Sequence, residues 1–562
     1  MAKNRHNAYK APRVPRASLP RPLHFRPIKM ATEAIPSTHA LARSAPAAAA
    51  PVVAARGVAP SPRSPFEYDT EPIPNGRLDE LVFLELKKRG LKPARPCSDA
   101  VFVRRAYLDV IGTLPTPQET MQFLQDRTFG KRAALVDALL ARDEFADYWS
   151  LKWSDVLRVK SEFPINLWPM AAQGYHRWIH DCIRDNWPYD KFARTLLTAS
   201  GSNFRDPQVN FYRAMPSKKP DEIAKAVARV FMGVRFEKWP RAKQDELAVF
   251  FSQVAYKSTG EWKEEIVSFD PAKAALASAP IPAVAPDGTR TLLRPEEDPR
   301  AHFCDWLISP DNPWFTRCAV NRIWYWLMGR GLIEPPDDIR PDNPPQNAAL
   351  LGYLQHELAA SHYDVKHIYR LILTSQTYQL SPIGRSPDPA AEENFAHYMV
   401  RRLDAEVLID ALDQVTGTTE SYSSQTPEPY TWIPEDQRSV VLADGSITSS
   451  FLQMFGRPAR DTGLMEERNN AVTSSQALHM LNSSHIQRKI QRGPILQAVY
   501  NSARTPAEFT DRIYLLLLSR FPTDDERKAI TDYAGVPGNN AKNAAFDLAW
   551  SLINSVEFQC RH

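Results

Sequence analysis

Arginines and carboxylates crowd the segment between positions 457 and 470, which is the most polar constellation in the sequence. Guanidinium groups bind carboxylates and phosphates through paired hydrogen bonds, so this segment could hold an anionic sugar or a phosphate. It could equally form an internal salt-bridge network that pins a long loop to the helices, and this second interpretation is favoured. The candidate polar site consists of Arg457, Arg460, Asp461, Glu467, Arg468 and Asn469, with Asn321 and Arg322 from an earlier segment. Arg401-Arg402 and Asp337-Asp338 are further members of polar clusters.

Other catalytic patterns fail on spacing. His356-Glu357 is followed by His362, but zinc-binding histidines on one helical face must be four residues apart and these are six apart. No G-x-S-x-G elbow, phosphate-binding glycine loop or EF-hand pattern occurs, and no metal site is predicted. The sequence therefore favours a binding protein over an enzyme.

Five tryptophans, Trp149, Trp153, Trp168, Trp178 and Trp187, lie close together in the first half of the chain. Aromatic faces stack on sugar rings, so a carbohydrate platform is one interpretation. Trp149 and Trp153 are four residues apart, which is the spacing of a helix face that enters a core. Core packing is the favoured interpretation.

The cysteine pattern bears on cofactors. Cys97, Cys182, Cys304, Cys318 and Cys560 are odd in number and dispersed, and no pair has C-x-x-C spacing. This excludes the C-x-x-C-H segment to which c-type haem is covalently attached, and a chain of this length does not need a disulfide framework. We expect buried free thiols and no cofactor.

The charge is distributed unevenly along the 562 residues. Residues 1–65 contain 11 lysines and arginines and one acidic residue, a net +10, which leaves −6 for the rest of a chain whose total is +4. Such a mildly acidic body disfavours nucleic-acid binding outside the basic leader. No apolar stretch approaches the roughly 20 residues that a bilayer span requires.

Residues 1–75 contain 13 of the 48 prolines and an alanine run at 47–50. This composition predicts a disordered basic leader. It lacks the apolar run of about 7–15 residues that a signal peptide needs near its start. The sequence itself thus gives no convincing export signal.

Helical periodicity dominates from Leu78 onward. Helices are predicted to end at Gly90 and Gly112, and further helical patterns occupy 221–232, 300–308, 316–328, 348–360 and 403–415. Strand signals are few, and Val440 to Leu442 is the strongest. A Pro- and Ala-rich run interrupts the order after residue 270. We predict a mainly α fold with two helical lobes, at 76–270 and 300–562, joined by a linker or insertion at 271–299.

One helix-start pattern occurs twice at a constant offset of 407 residues. Pro115, Thr116 and Glu119 match Pro522, Thr523 and Glu526, and each copy leads on to a hydrophobic helix that ends in Glu-Phe. A threonine followed three residues later by glutamate predicts a capping box. The recurrence is interpreted as two related helix-turn-helix units, although independent use of a common cap is the alternative.

Several of these segments also resemble a known family. The first lobe, through Arg104 to Asp109, Pro115 to Pro117 and Glu261 to Glu265, resembles the planctomycete cytochrome C domain of unknown function. The second lobe resembles the planctomycete-specific domain that usually follows it. Its matching segments are Val320 to Trp324, Gly329 to Leu332, Asn343 to Pro345, Ser375 to Gln379, Phe455 to Pro458 and Gln476 to Asn482.

This resemblance implies a covalent haem in many relatives, but the haem segment is missing here. Gly233-Val234-Arg235 runs directly into Phe236-Glu237-Lys238-Trp239, where those relatives carry C-x-x-C-H. The resemblance further implies an exported or periplasmic location and a link to polysaccharide utilisation, with a glycan or a partner protein as the ligand.

Three hypotheses on function follow. The leading one is a non-haem binding or scaffold protein. The first alternative is a hydrolase that uses the loop 457–470, which would need paired carboxylates about 5–10 Å apart in a pocket. The second is a redox protein with a noncovalent cofactor, for which no specific residues are visible.

Overall fold

The computed structural model describes residues 62–270, 280–537 and 539–562, and helices form most of it. In the first half, the helices are α1 Arg77–Lys88, α2 Asp99–Val110, α3 Pro117–Gln125, α4 Lys131–Leu140, α5 Asp143–Val156, α6 Pro169–Arg184, α7 Tyr189–Leu197, α8 Asn210–Arg213, α9 Pro220–Val227 and α10 Arg241–Ala248. The last turn of α9 continues as a π-helical turn, Ala228–Met232.

The second half is helical as well. Its helices are α11 Pro299–Leu307, α12 Phe315–Met328, α13 Ala348–Ala360, α14 Val365–Leu373, α15 Pro389–Glu393, α16 Ala405–Thr416, α17 Ser450–Met454, α18 Ser474–Asn482, α19 Ser484–Arg492, α20 Pro494–Ser502, α21 Pro506–Leu518, α22 Asp524–Ala534, α23 Ala541–Ile553 and α24 Val556–Gln559. Single 3-10 turns lie at Pro207–Val209, Phe236–Lys238, Val249–Phe251, Ser439–Val441 and Met465–Glu467.

The strands are short and pair antiparallel. They are β1 Pro62–Ser64, β2 Glu67–Tyr68, β3 Gly201–Ser202, β4 Val254–Ser258, β5 Glu265–Phe269, β6 Ile281–Val284, β7 Arg290–Leu293, β8 Arg401–Arg402 and β9 Cys560–Arg561. β1 pairs with β2, β6 pairs with β7, and β5 lies between β3 and β4. The pairing that matters most for the site joins Arg401 to Arg561 and Arg402 to Cys560. It brings two distant arginines side by side.

Both predicted lobes contribute to one buried apolar core. Trp149 and Trp153 on α5 pack against Trp326 on α12 with ring centroids 5.4 and 5.7 Å apart. Tyr189 on α7 stacks on Phe315 of α12 at 4.7 Å. The described residues of both lobes accordingly belong to one compact unit. The division of the chain into two lobes, at residues 270 and 300, remains a prediction.

The mainly α prediction is confirmed, and each predicted helical segment contains a helix at nearly the predicted bounds. The predicted strand from Val440 to Leu442 is wrong, because Ser439–Val441 form a 3-10 turn. Asp410 on α16 accepts the backbone N–H groups of Ser439 and Val440 at 2.7 and 3.1 Å. The carboxylate satisfies donors that a strand would have paired with a neighbour.

The predicted leader spans residues 1–75, and residues 1–61 of it lie outside the described part of the chain. Its last part is ordered, since β1 and β2 form a small hairpin whose Pro65 carbonyl accepts a hydrogen bond from the Ser98 hydroxyl at 2.6 Å. Of the predicted linker 271–299, residues 271–279 lie outside the described part of the chain, and β6 and β7 form a hairpin in the remainder.

The tryptophans divide between core and surface. Trp149 and Trp153 are buried as predicted, and Trp178 and Trp187 pack against the core. Trp168 instead contacts Trp262 and Tyr430, with ring centroids 4.7 and 5.6 Å away. All five cysteines are buried free thiols, as predicted.

Both predicted capping boxes are confirmed, at the starts of α3 and α22. In each unit, an arginine outside the capping box forms ion pairs with the capping-box glutamate and with the glutamate of the Glu-Phe pair that follows. Arg142 contacts Glu119 and Glu144, and Arg520 contacts Glu526 and Glu557. The two units thus repeat the same contact, although the two arginines occupy different positions along the chain.

Within residues 62–270, 280–537 and 539–562, every helix is too short or too polar to span a bilayer.

The cap of α22 offers a test of local stability. Thr523→Ala removes the hydroxyl that accepts the Glu526 N–H and should lower the free energy of unfolding by about 1 kcal/mol. Thr531→Ala in the same helix is the matched control, since its exposed hydroxyl donates to the Arg527 carbonyl one turn earlier and does not cap the helix. Urea unfolding followed by circular dichroism compares the two. Equal unfolding midpoints would show that the cap does not stabilise α22.

Candidate functional site

A cavity of about 550 Å³ lies where α5, the end of α12, β8, the loop 458–472 and β9 meet. We call it the central cavity. Its size falls within the range of about 300–1,000 Å³ that is usual for small-molecule sites. Its charged lining residues are Lys152, Asp155, Arg401, Arg402, Asp404, Glu466, Arg468 and Arg561, and its aromatic ones are Tyr325 and Trp326.

Asp404 is the buried anchor of this cavity. Its carboxylate accepts hydrogen bonds from the Lys152 ammonium at 2.7 Å, the Arg561 guanidinium at 3.0 Å, the Tyr148 hydroxyl at 3.0 Å and the Asn470 amide at 2.8 Å. The side chain is only 2% exposed. A carboxylate removed from water in this way needs such partners, because an unpaired buried charge is costly.

Arg468 joins three carboxylates around the cavity. It donates to Asp155 at 2.7 and 3.0 Å and to Glu406 at 2.6 and 3.1 Å, and it lies 3.7 Å from Asp404. Two forked contacts from one guanidinium fix its plane as well as its position. Arg468 therefore fastens the loop 458–472 to α5 and to the start of α16.

Arg457 and Arg460 complete the same network behind the cavity. Arg460 donates to Asp155 at 2.9 Å and to the Ala443 carbonyl at 2.7 Å, and Arg457 lies 3.2 Å from Glu406. Both guanidinium groups are buried. They hold the loop together from inside the protein.

A glycine is required where this loop passes the backbone. The Asn469 N–H donates to the Gly456 carbonyl at 3.1 Å, and a Cβ on Gly456 would lie 1.7 Å from the Asn469 oxygen. The φ angle of Gly456, +90°, also favours glycine. This explains the glycine within Phe455-Gly456-Arg457-Pro458.

The start of α16 is electrostatically suited to its two acids. Asp404 is the residue that precedes the helix and Glu406 lies in its first turn, where the helix dipole favours negative charge. Burial by itself would raise the pKa of Asp404, but the charges of Lys152, Arg561 and Arg468 hold it well below its usual range. Burial likewise opposes ionisation of Glu406, yet Arg468 and Arg457 lower its pKa to about 2. Both are carboxylates at neutral pH.

Burial shifts the pKa of Lys152 in the opposite direction from that of the two acids. Lys152 lies on the buried face of α5, between Leu151 and Trp153, and burial lowers its pKa to about 8 although the charge of Asp404 opposes this. Its ammonium donates to Asp404 and lines the central cavity. Lys152 is therefore a cation at pH 7 that loses its charge under mildly alkaline conditions.

The network carries an excess of positive charge. Among the described residues, ion pairs connect six cations with four carboxylates in one continuous network, for a net charge of +2 when Lys152 is protonated. The members are Lys152, Arg401, Arg457, Arg460, Arg468 and Arg561 against Asp109, Asp155, Asp404 and Glu406. A cleft whose buried walls carry such an excess attracts anions.

The structure brings four of the eight predicted site residues to this network or its cavity. Arg457, Arg460 and Arg468 belong to the network, and Asn469 lines the cavity. Asp461 pairs with Lys160 at 2.6 Å. Glu467 accepts the N–H groups of Asp461 and Gly463 at 2.9 and 3.2 Å, so it shapes the loop.

Asn321 and Arg322 lie elsewhere, buried within α12. Asn321 exchanges two hydrogen bonds with the backbone of Ile333, at 2.8 and 3.0 Å. Arg322 donates to the Val230 carbonyl at 2.8 Å and lies 3.3 Å from Asp337. These contacts hold α12 against the π-helical turn and the loop that follows α12.

The predicted site omitted its central acid and its lysine. Asp404 and Glu406 come directly after Arg401-Arg402 in a run that is otherwise apolar, and Lys152 stands between Leu151 and Trp153. A charged residue on the buried face of an amphipathic helix needs a partner inside the protein. That signal was present in the sequence, but it does not name the partner.

Residues near the missing haem segment do not fit a covalent haem. Covalent attachment needs two thiols and a histidine, and the turn from Gly233 to Trp239 contains neither. The thiol of Cys318 is buried and would lie 3.1 Å from a Cβ on Gly233.

The residues of the His356-Glu357 and His362 pattern do not form a metal site either, since Glu357 pairs with His367 at 3.0 Å.

No cluster of three or more His, Cys, Asp or Glu side chains is placed to hold a metal within the described ranges. The absence of a cofactor remains a prediction.

Acid should destabilise the protein between about pH 4.5 and about pH 2. Asp404 and Glu406 have lower pKa values in the folded state than in the unfolded chain, so the unfolded chain takes up protons first. Their contribution is complete above the unfolded pKa values and is lost as the pH falls through the folded ones. Urea midpoints measured from pH 7 to pH 2.5 should show this decline.

Glu406→Gln provides the variant for that experiment. It should cost about 3–5 kcal/mol at pH 7, because it leaves the buried Arg457 without a carboxylate partner and Arg468 with one fewer, and its stability should depend less on pH. Glu80→Gln, which removes an exposed pair with Arg77, is the matched control and should change neither quantity. An unchanged pH dependence in Glu406→Gln would contradict the assignment.

Two family models match the chain, in the order that the sequence resemblance implies. The first model, described as a protein of unknown function (DUF1549), matches residues 77–237, from the start of α1 to the 3-10 turn at Phe236–Lys238. The second model, also described as a protein of unknown function (DUF1553), matches residues 299–534, from the start of α11 to the end of α22. No curated protein and no solved structure matches the chain. The chain therefore belongs to the family in which a planctomycete cytochrome C-like domain is followed by a second domain of unknown function.

Proposed function

We propose that this chain is a non-haem binding protein whose central cavity takes an acidic sugar. The observation that carries the proposal is the net charge of +2 on the network of ion pairs around that cavity. An anionic group bound there would offset the excess charge. Guanidinium groups recognise carboxylates and sulfates through directed hydrogen bonds.

The other walls of the central cavity suit a sugar ring. Tyr325 and Trp326 line it beside Pro458 and Met465. Aromatic and aliphatic surfaces pack on the C–H faces of a ring, while hydroxyl groups need polar partners such as Asn469. A ligand with both a ring and an acidic group would use both kinds of wall.

Hydrolysis is less well supported than binding. A glycosidase needs a carboxylic acid with a raised pKa to protonate the leaving group. Asp404 and Glu406 have lowered pKa values, and each is held by two or more cations. Charged partners keep both groups ionised, so neither is the carboxylic acid that would protonate a leaving group.

A glycan ligand agrees with the export that the family resemblance implies, because acidic polysaccharides lie outside the cell. The described body of the chain is acidic overall, which favours a glycan or a partner protein over nucleic acid as the ligand.

The charge requirement can be tested at the mouth of the cavity. Val472 lines the cavity and is 73% exposed, so its replacement leaves the buried network intact. Val472→Glu should weaken binding of D-galacturonate by about fivefold or more, because rim charges act on anionic ligands. Val472→Lys, the matched control of opposite charge, should bind at least as tightly as the unaltered protein. Isothermal titration calorimetry with D-galactose as the neutral probe completes the comparison.

A preference for D-galactose, or equal affinities in the two variants, would refute an anionic ligand in this cavity.

The affinity for D-galacturonate should also fall above about pH 8, as Lys152 loses its proton. The groups that face Lys152 keep their charge states there, since Asp404, Arg468 and Arg561 stay ionised and burial raises the pKa of Tyr148. Lys152→Arg keeps a permanent cation and should remove this pH dependence. Calorimetric titrations from pH 6.5 to pH 9.5 measure it, and an unaltered protein with a flat profile would show that Lys152 does not contact the ligand.

A further inference from the structure

A second cavity, of about 570 Å³, lies between the start of α10, the start of α12 and the loop 333–345. We call it the tryptophan groove. Trp239 and Trp314 line it, together with prolines from four segments of the chain. Trp314 packs on Trp306 with centroids 5.7 Å apart, and Trp239 packs on Phe236 at 5.8 Å, so neighbours fix both rings. The groove therefore offers rigid, mostly apolar walls.

One cation in this groove has no partner. Arg317 on α12 makes no hydrogen bond or ion pair with any residue that the structure describes, and its Nε atom is buried. Burial lowers its pKa, and no neighbouring carboxylate opposes this. Arg322, five residues later on the same helix, contacts two backbone carbonyls and Asp337. An arginine left without such partners pays for desolvation with no compensating contact.

The other charges of the groove are also positive. Lys243 and Arg340 line it, and no described lining residue is acidic. Lys243 donates to the Pro286 carbonyl at 3.1 Å, and Arg340 pairs with Asp342 at 2.7 Å. Arg317 is thus the cation of the groove with no hydrogen-bond partner among the described residues, while Lys243 keeps two further N–H donors and adds a second positive charge.

We propose that the tryptophan groove binds a carboxylate carried on a ring. A carboxylate matches the fork of one guanidinium through two parallel hydrogen bonds, and the positive charges of Arg317 and Lys243 favour an anion. Tryptophan and proline side chains pack on the faces of a ring. The groove also has the volume of a small-molecule site. This proposal concerns a different cavity from the central cavity and does not depend on the function proposed there.

The experiment is a calorimetric titration with three probes. Benzoate represents an aromatic acid, D-glucuronate a sugar acid, and inorganic phosphate an anion without a ring. Benzoate or D-glucuronate should bind, and Arg317→Gln should weaken that binding by at least about tenfold. Saturable binding of phosphate with no binding of either carboxylate would overturn the proposal, as would no saturable binding of any probe.

Two controls separate the groove from the central cavity. Arg317→Gln removes no hydrogen bond or ion pair with any described residue, so its unfolding midpoint should match that of Arg127→Gln, a variant of an exposed arginine outside both cavities. Val472→Glu should leave binding at the groove unchanged, whereas a sugar acid bound in the central cavity would respond to it. Binding that survives Arg317→Gln but falls in Val472→Glu would place the carboxylate in the central cavity and refute a site in the groove.

Discussion

The burial of Asp404 is the constraint on which the arrangement of the second half against the first depends. A carboxylate with 2% of its side chain exposed is tolerated only when cations and hydrogen-bond donors surround it. Its partners come from α5, from the loop 458–472 and from β9. Removing any one segment would take away one or more of the partners of this buried charge, so the ion pairs stabilise the assembly as well as the cavity.

The same network that stabilises the fold gives the central cavity its chemical character. Every carboxylate in it contacts at least one cation, yet cations outnumber carboxylates by two. The salt-bridge and anion-site interpretations of the arginine-rich loop are therefore compatible. Arg457 and Arg460 act from behind, within the protein, while Lys152 and Arg468 also line the cavity.

Local sequence patterns predicted local structure well. The capping boxes at Thr116 and Thr523 depend on residues three positions apart, so the sequence alone predicts them. The predicted strand at Val440 failed because its hydrogen bonds go to Asp410, thirty residues earlier. A pattern of three residues cannot reveal a partner at that distance.

The sequence by itself determined the helical class of the fold, the helix starts, the buried thiols and the lack of a haem-attachment segment, because each rests on spacing or residue type within a short window. Only the tertiary structure decided that Asp404 and Lys152 line one cavity, that Asn321 and Arg322 do not belong to it, and that Arg317 has no hydrogen-bond partner among the described residues. The reason is physical: the charge state and availability of a buried group depend on atoms supplied by segments hundreds of residues away, such as Lys152 and Arg561 around Asp404.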